Sequence, residues 1–298
     1  PKDMLIARPI LSALEHAGFP IFPDFRTAWH FDDKVAQKYL FEALEIPAVP
    51  AEVFVEREKA LAWVAQAEFP KVFKLRRGAG SHGVRLAHNR REARRLVRRA
   101  FGRGFPLYDP MRILRETIYK YRIKKISFMK IGNALVRFLI PPRFSRIIGR
   151  ERGYVYFQEF LPNNECDIRV IVIGNRAFGI RRMVRPGDFR ASGSGKITYA
   201  RKDIDERCVA LSFRVGRRLG SQCVALDFIF DEDCNPRIVE VSFGFSIEGY
   251  EPCEGYWDNQ LIWYEGDFDP YGWMIDLTIM KASQVKLGNH QKTMCKRT

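Results

Sequence analysis

The stretch from Leu226 to Ser242 constrains the fold most, because it predicts two apolar strands joined by a polar turn at 231–235. Side chains alternate along a strand, so Glu240 and Ser242 share one face, and Val239 and Val241 point the other way. If the turn folds Asp227 back against that face, two carboxylates and a hydroxyl converge. Hard oxygen ligands of this kind suit Mg²⁺. On this stretch alone, an acidic surface hairpin without a ligand is the alternative.

Length and composition favour a folded protein of two or three lobes, since 298 residues with 46% hydrophobic residues can bury a large core. No apolar run approaches the roughly 20 residues that span a bilayer. The six cysteines lack CxxC spacing and the five histidines are not paired with them at ligand spacing. The sequence therefore favours a reducing cytoplasmic location and gives no sign of structural zinc.

The net charge of +15 is concentrated in two places. The segment 106–152 holds twelve Lys or Arg against three acids, which is +9 of that total, and a helix predicted for Arg90–Phe101 holds a second basic cluster. Such density attracts nucleic acid, anionic lipid or a polyanionic substrate, and a solvated basic face is the commoner alternative. A nucleic-acid binder ranks last, because no reading helix or stacking platform is recognisable.

Hairpin signals mixed with helical stripes predict an α+β architecture rather than a doubly wound parallel sheet. Asp32 and Asp33 precede an apolar stripe and predict the N-terminus of a helix. Residues 1–23 look like part of a small α/β segment. The end of the chain, 281–298, is polar and basic, and we expect it to be loosely ordered.

Two further segments carry residue types suited to phosphates and carboxylates. Lys74 ends a predicted strand and precedes a loop with three glycines, whose backbone N–H groups can approach phosphate oxygens. The lysine precedes the glycines, so this is not a P-loop, and a glycine-rich turn without a ligand is the alternative. Arg181 and Arg182 end another strand before the flexible loop 187–196, and the alternative there is a salt-bridged surface loop.

The order of these pieces along 32–250 resembles that of the ATP-grasp carboxylate–amine ligases. Across 158–195 the chain is similar to the ribosomal-protein glutamate ligase branch. Through 243–250 and 255–258 it resembles uncharacterised ATP-grasp proteins found with surface-polysaccharide genes. The resemblance implies two α+β lobes that grip ATP. It places a remnant N-terminal segment at 1–31, a small lobe at 32–157 with a basic insertion at 106–152, a catalytic lobe at 158–280 and a tail at 281–298.

The resemblance also implies roles for individual residues. The implied ATP-binding positions are Lys34, Lys74, Gly80, Ser81, Gly83, Glu159, Phe160 and Asp167. The positions implied to hold the substrate carboxylate and the acyl phosphate are Arg169, Arg182 and Arg190. The implied metal ligands are Asp227, Glu240 and Ser242, and here the chain departs from the family, which has Glu-x-Asn where this chain has Glu240-Val-Ser242.

The activity implied is an ATP- and Mg²⁺-dependent ligase, with Mn²⁺ as a substitute metal, that joins a carboxylate to an amine. A uronic-acid glycan or its precursor is the acceptor we consider, at an anionic membrane surface reached through 106–152. The expected location is the cytoplasm, peripheral to the inner face of the membrane, and a homo-oligomer is allowed. A non-catalytic ATP-binding protein of the same fold and a nucleic-acid-binding protein are the alternatives.

Overall fold

A computed structural model describes residues 2–78, 83–106, 110–122, 127–139, 149–185, 187–191 and 196–295. The chain forms two compact units, and the first combines residues 1–50 with 160–298. The second unit is continuous, from Ala51 to Glu159. Helices and antiparallel sheets occur in both units, which confirms the α+β class. In the described part of the chain, no helix combines the length and the apolar character needed to cross a bilayer.

The elements take the following bounds. The helices are α1 (Lys2–His16), α2 (Phe25–Ala28), α3 (Lys34–Ala43), α4 (Arg57–Gln66), α5 (Arg90–Phe101), α6 (Pro110–Arg122), α7 (Met129–Leu139), α8 (Glu206–Leu219) and α9 (Pro270–Cys295). The strands are β1 (Ala51–Phe54), β2 (Lys71–Lys74), β3 (Arg85–Ala87), β4 (Phe105–Pro106), β5 (Arg150–Glu151), β6 (Val155–Glu159), β7 (Cys166–Ile173), β8 (Arg176–Met183), β9 (Ile197–Thr198), β10 (Cys223–Phe230), β11 (Pro236–Ser242), β12 (Gly255–Asp258) and β13 (Trp263–Glu265).

The second unit is built on an antiparallel sheet with the strand order β1-β6-β2-β3. Phe73 and Phe157 lie opposite each other on neighbouring strands and pack with the apolar side of α5, which is lined by Ala93 and Val97. The arginines of α5 lie on its other side. Burial of the apolar stripe that contains Ala93 and Val97 holds the helix against the sheet.

The segment predicted as a basic insertion is joined to the rest of the second unit by two short paired strands, here called the β4–β5 clasp. Phe105 pairs with Glu151 and Pro106 pairs with Arg150, so β4 and β5 lie side by side at the base of the insertion. Arg150 strengthens the clasp, because its Nε donates to the carbonyl of Arg103 over 2.6 Å. Between the two strands the chain forms α6 and α7, which pack on each other.

The first unit is built on a larger antiparallel sheet with the order β11-β10-β7-β8-β12-β13, and β9 pairs with β8. One face packs against α3 and α8 through residues such as Val170, Leu226 and Phe213. The other face is apolar over part of its area, where Phe178 packs with Trp273 of α9. The remainder of that second face carries charged side chains.

Residues 34–50 belong to the first unit, not to the lobe predicted for 32–157. The reason is hydrogen bonding to β11: the Val49 amide donates to the Ile238 carbonyl over 2.9 Å, and Gln37 Nε2 donates to the Val241 carbonyl over 2.9 Å. The predicted helix start is confirmed, since the Asp33 side chain accepts from the Ala36 amide and caps α3.

The C-terminal segment also differs from the expectation. Where a loosely ordered tail was expected from residue 281, α9 continues to Cys295. At the start of this continuation, Lys281 Nζ lies 3.5 Å from Glu15 and 3.2 Å from Asp24, which ties the helix to the N-terminal segment at that point.

Candidate functional site

The charged part of the large sheet is formed by residues that the strand register brings together. Asp227 on β10 lies opposite Glu240 on β11 and opposite Arg169 on β7. On the next pair of strands, Asp167 lies opposite Arg182. Directly opposed residues project from the same face of a sheet, so these five side chains share one surface. The expectation that Asp227 folds back against Glu240 is confirmed.

The hairpin is less regular than the alternation predicts. Its register shifts after Asp227, so Phe228 pairs with Ile238 and Val239 is the extra residue of a bulge. Ile238 and Val241 both pack in the core, and because Val239 has no partner on β10, its predicted common direction with Val241 stays a prediction. Glu240 and Ser242 do share a face, because they pair with Asp227 and with Ala225, two residues apart.

Asp227 is the centre of a network of guanidinium hydrogen bonds. Arg169 donates from Nε to Oδ1 over 2.5 Å and from Nη2 to Oδ2 over 2.7 Å, a bidentate pair. Arg182 Nη2 lies 3.0 Å from Oδ1 of Asp227. Arg182 also donates to both oxygens of Asp167, over 2.6 and 2.7 Å. Arg182 therefore links the two aspartates.

The two aspartates have opposite pKa shifts. Burial alone would raise the pKa of Asp227, but attraction and hydrogen bonding from Arg169 and Arg182 hold it well below its ordinary value. Burial raises the pKa of Asp167 to about 6, against the attraction of Arg182 and with help from the nearby negative charge of Asp227. Asp227 therefore stays ionised, whereas the pKa of Asp167 is about 6.

Glu240 is held by a lysine from the preceding helix. Lys34 Nζ lies 3.0 Å from Glu240 Oε1; the lysine side chain is buried and the glutamate is 30% exposed. Lys34 is the first residue of α3, and Gln37 one turn later bonds β11 at Val241. Helix α3 therefore positions a cation at the edge of the charged surface.

The side chains at this end of the β10–β11 hairpin offer oxygen ligands, the type that Mg²⁺ prefers. Asp227 and Glu240 supply carboxylates, and the Ser242 hydroxyl accepts from the Gly244 amide over 3.1 Å and lies 3.2 Å from the Gly244 carbonyl. Within the described ranges, no group of three or more His, Cys, Asp or Glu side chains is arranged to hold a metal. Two carboxylates are enough where nucleotide phosphates and waters complete the shell, which is how Mg²⁺ commonly binds.

In the second unit, Lys74 and Glu159 lie on opposite faces of their sheet. Lys71 pairs with Glu159 and Lys74 pairs with Tyr156. Side chains alternate between the two faces along a strand, and Lys74 is three residues from Lys71, so Lys74 lies on the face opposite to Lys71 and Glu159. The side chain of Glu159 is bound by Lys71, whose Nζ lies 2.5 Å from Oε1. The two residues predicted to contact ATP from this sheet therefore do not present their side chains to one surface.

The glycine loop after Lys74 is closed at its base. The Leu75 amide donates to the Gly83 carbonyl over 3.1 Å, and Gly83 has φ +77°. A Cβ atom there would lie 2.7 Å from the Leu75 side chain, so glycine is required. Of the loop residues predicted to bind ATP, Gly80 and Ser81 lie outside the described residues.

Phe160 and Arg190 meet in the first unit through Phe189. The rings of Phe160 and Phe189 are 6.0 Å apart and nearly perpendicular, and the Arg190 guanidinium lies 5.8 Å from the Phe189 ring. Arg190 also forms an ion pair with Asp188, at 2.6 Å. Burial favours a raised pKa for Asp188, but the hydrogen bonds and charge of Arg190 lower it.

Tyr250 belongs to the charged surface and was not predicted to do so. Burial raises the pKa of its hydroxyl, although the neighbouring charge of Arg169 opposes this. The only sequence signal at Tyr250 is its position at the start of an aromatic-rich segment. That segment also supplies core residues such as Trp257 and Trp273, so the signal does not separate a site residue from a core residue.

Comparison with known proteins gives a family match and a fold match. Residues 141–257 match the model of the RimK-like ATP-grasp domain. No curated protein matches the sequence. Several solved structures resemble the chain over most of its length.

The biotin carboxylase domain of Hydrogenobacter thermophilus 2-oxoglutarate carboxylase, solved as a dimer with MgADP, ADP and bicarbonate, is 15% identical with a TM-score of 0.53. The match covers 90% of this chain and 50% of that one, so this chain spans half of that domain's length. The ATP-grasp ligase PsnB, solved with a phosphomimetic variant of its minimal precursor, Mg and ADP, is 15% identical with a TM-score of 0.51, over 94% of this chain and 68% of that one.

A RimK domain ATP-grasp protein from Sphaerobacter thermophilus is 20% identical with a TM-score of 0.46, over 79% of this chain and 68% of that one. At these identities the structural likeness concerns the fold. The predicted resemblance to ATP-grasp proteins is confirmed, since residues 141–257 match the RimK-like ATP-grasp domain and the chain has the ATP-grasp fold.

Proposed function

We propose that the protein is an ATP- and Mg²⁺-dependent ligase that activates a carboxylate as an acyl phosphate and joins it to an amine. The observation that carries the proposal is the charged surface of the large sheet. It combines three cations (Lys34, Arg169 and Arg182) with three carboxylates (Asp167, Asp227 and Glu240) on an ATP-grasp fold. Structures of the same fold, PsnB and the carboxylase domain, hold Mg and ADP.

In the proposed reaction, one oxygen of the acceptor carboxylate attacks the γ-phosphorus of ATP and ADP leaves. The product is an acyl phosphate, whose carbonyl carbon is then attacked by the amine. Phosphate leaves with the electron pair of the C–O bond, the amine nitrogen loses a proton, and an amide remains. Enzyme nucleophiles are not needed, so the buried thiols of Cys208 and Cys223, whose pKa values burial raises, have no catalytic part.

The cations of the surface have a clear role in this chemistry. Arg169 and Arg182 present guanidinium groups that suit carboxylate and phosphate oxygens, and Lys34 supplies a point charge. Each is paired with a carboxylate of the protein, so a bound anion would exchange with an existing partner rather than meet an isolated charge. Arg190, paired with Asp188, is proposed to reach the substrate from its loop.

Asp227 and Glu240 would hold Mg²⁺, with Ser242 as a third oxygen donor. When bound, the metal neutralises charge on the nucleotide phosphates. For phosphate binding we propose Lys34 in the first unit and, in the second unit, Lys74 with the loop of Gly80, Ser81 and Gly83. We propose Phe160 and the backbone of Glu159 at the base, because the Glu159 side chain is bound by Lys71. Asp167 is proposed for the ribose, which requires release from Arg182.

For the acceptor we propose an acidic glycan or its precursor. The excess of basic residues, 50 Lys or Arg against 35 acids, favours a polyanionic substrate over a cationic one. We place the reaction in the cytoplasm, where ATP is available, in keeping with the free cysteines of the described residues. A homo-oligomer is compatible with the proposal and is tested by light scattering.

The test is release of ADP and phosphate with MgATP, a panel of carboxylates including uronic-acid oligosaccharides, and a panel of amines. We expect turnover that needs both co-substrates and is abolished in Glu240→Ala, with Glu232→Ala in the exposed turn as the matched control. Turnover that survives Glu240→Ala unchanged would contradict the site.

A non-catalytic nucleotide-binding protein is the second candidate, and Ser242 in place of the family's asparagine is the observation that favours it. It predicts that MgATP binds in calorimetry while no combination of carboxylate and amine releases ADP. Ser242→Asn then distinguishes the two, since gain of turnover would show that the metal shell alone was limiting.

A further inference from the structure

In the part of the chain that the structure describes, the helical hairpin α6–α7 exposes several large apolar side chains. Near the connection between the helices, Phe128 is 68% exposed and Met129 is 78% exposed, and the ring of Tyr121 lies 5.9 Å from that of Phe128. Leu135 and Val136 on α7 are about half exposed. Large apolar groups clustered on a surface, unlike scattered ones, mark a place of interaction.

The exposed apolar residues of α7 form a stripe along the helix. Met129 and Val136 are seven residues apart and so lie on one side, and exposed Gly132 falls between them on the same side. Exposed Lys130 and Asn133 lie on an adjoining side. The exposed surface of α7 therefore has an apolar side and a polar side, which is the pattern of helices that lie in a membrane interface.

The charge around the stripe is predominantly positive, because the segment 106–152 holds twelve Lys or Arg against only Asp109, Glu116 and Glu151. From Thr117 to Arg150 the sequence contains nine Lys or Arg and no Asp or Glu. In the structure Arg115 and Lys130 are exposed on the two helices, and Arg103, Arg150 and Arg152 are exposed at the β4–β5 clasp. Basic side chains beside an apolar stripe are complementary to anionic headgroups above acyl chains.

This combination argues against two other occupants. A second copy of the chain at the same face would bring two strongly positive hairpins together, and an isologous contact would place like charges opposite each other. Nucleic acid would use the cations but leave exposed aliphatic groups such as Leu135 and Val136 without a partner. An anionic bilayer satisfies both the charged and the apolar groups.

From these observations we infer that the α6–α7 hairpin is a peripheral anchor that binds anionic lipid bilayers. Phe128, Met129, Leu135 and Val136 enter the interface while Arg115 and Lys130 contact headgroups. The inference goes beyond the proposed ligase function and does not depend on it, because the binding is measured without ATP or substrates.

The test is flotation of the full chain with vesicles of phosphatidylcholine alone and with equal parts of phosphatidylglycerol. We expect binding to the anionic vesicles, loss at high salt, and little binding to the neutral ones. The double variant Phe128→Ser with Met129→Ser should bind about tenfold or more weakly, since two large side chains no longer enter the interface. The matched control is Ile275→Ser with Ile279→Ser, which removes apolar groups of α9 that are also more than half exposed.

A second measurement does not depend on the loss of binding. Phe128→Trp should be quenched by brominated lipid in anionic vesicles, more strongly than the native tryptophans of the parent protein. Equal flotation of parent and Ser variants, equal loss in the α9 control, or no extra quenching of Phe128→Trp would overturn the inference. Salt-sensitive binding of RNA without vesicle binding, or a monomer–dimer shift caused by the Ser variants without vesicle binding, would overturn it as well.

Discussion

Arg169 and Asp227 face each other on neighbouring strands, and the guanidinium binds both carboxylate oxygens of the aspartate. Arg182 adds a third donor to the same carboxylate from one strand further along the sheet. Asp227 is buried and Arg169 is half-buried on a sheet face that is apolar over part of its area. Removal of one partner therefore leaves charge in a place from which water is largely excluded.

Asp227→Ala should lower the free energy of unfolding by about 3 kcal/mol, because the two arginines lose their shared anion. Urea unfolding followed by circular dichroism at neutral pH measures this, with Asp233→Ala in the exposed β10–β11 turn as the control. Joint replacement of Arg169 and Asp227 by leucine should recover part of the loss. A single variant as stable as the parent would contradict the pairing.

Asp167→Asn should flatten the dependence of stability on pH between about 4 and 6. An aspartate in the unfolded chain has a pKa of about 3.9, whereas burial raises that of Asp167 to about 6. The folded protein therefore retains a proton that the unfolded chain releases in this window. Stability falls as pH rises through the window, by at most about 1.4 kcal/mol per pH unit, and this contribution is constant above it.

Asp227 acts in the opposite direction and at lower pH. Its pKa is lowered in the folded state, so its stabilisation is present above the pKa of the unfolded chain and is lost only as pH falls below that value.

The measurement for Asp167 is urea unfolding of parent and Asp167→Asn at several pH values from 4 to 7. An identical slope in both proteins would show that Asp167 does not titrate there.

Ser242→Asn should lower the Mg²⁺ concentration that gives half-maximal turnover by a few fold, if the ligase is active. The amide oxygen of asparagine extends further from the backbone than the serine hydroxyl, which is held near Gly244. Titration of activity with Mg²⁺ at saturating ATP measures the change. Ser246→Asn, outside β11, is the control, and a higher Mg²⁺ requirement in Ser242→Asn would count against a ligand role for position 242.

Gly83→Ala should destabilise the protein more than Gly153→Ala. Both glycines have positive φ, +77° and +84°, so alanine meets the same backbone strain of about 1–2 kcal/mol at each. Only at Gly83 would the new methyl group meet Leu75, at 2.7 Å, while nothing lies within 4 Å at Gly153. The difference in the free energy of unfolding between the two variants measures the clash, and equal losses would contradict it.

Local patterns predicted much of the architecture. The helix expected at Arg90–Phe101 is observed with those bounds, because a stripe of small apolar residues among arginines allows one helical face to be buried. The approach of Asp227 to Glu240 was predictable because a short polar turn leaves few registers for the two strands.

Features that depend on distant strands were not predictable. The bulge at Val239 leaves the pattern of residue types unchanged, so only pairing with β10 reveals it. The capture of the Glu159 side chain by Lys71 depends on how β6 pairs with a strand 80 or more positions earlier, which sets the face on which Glu159 lies. Assignment of residues 34–50 to the first unit depends likewise on backbone bonds to β11.

The β4–β5 clasp makes the hairpin between its strands a separable piece of the molecule. Phe105–Pro106 and Arg150–Glu151 pair with each other at the two ends of the segment between them. For the rest of the second unit, that segment is therefore equivalent to one loop whose ends are held together. Doubling the length of such a loop costs only about 0.6 kcal/mol in closure entropy. Related chains can therefore lengthen, shorten or exchange this appendage during evolution while the sheet that carries Lys74 keeps its shape.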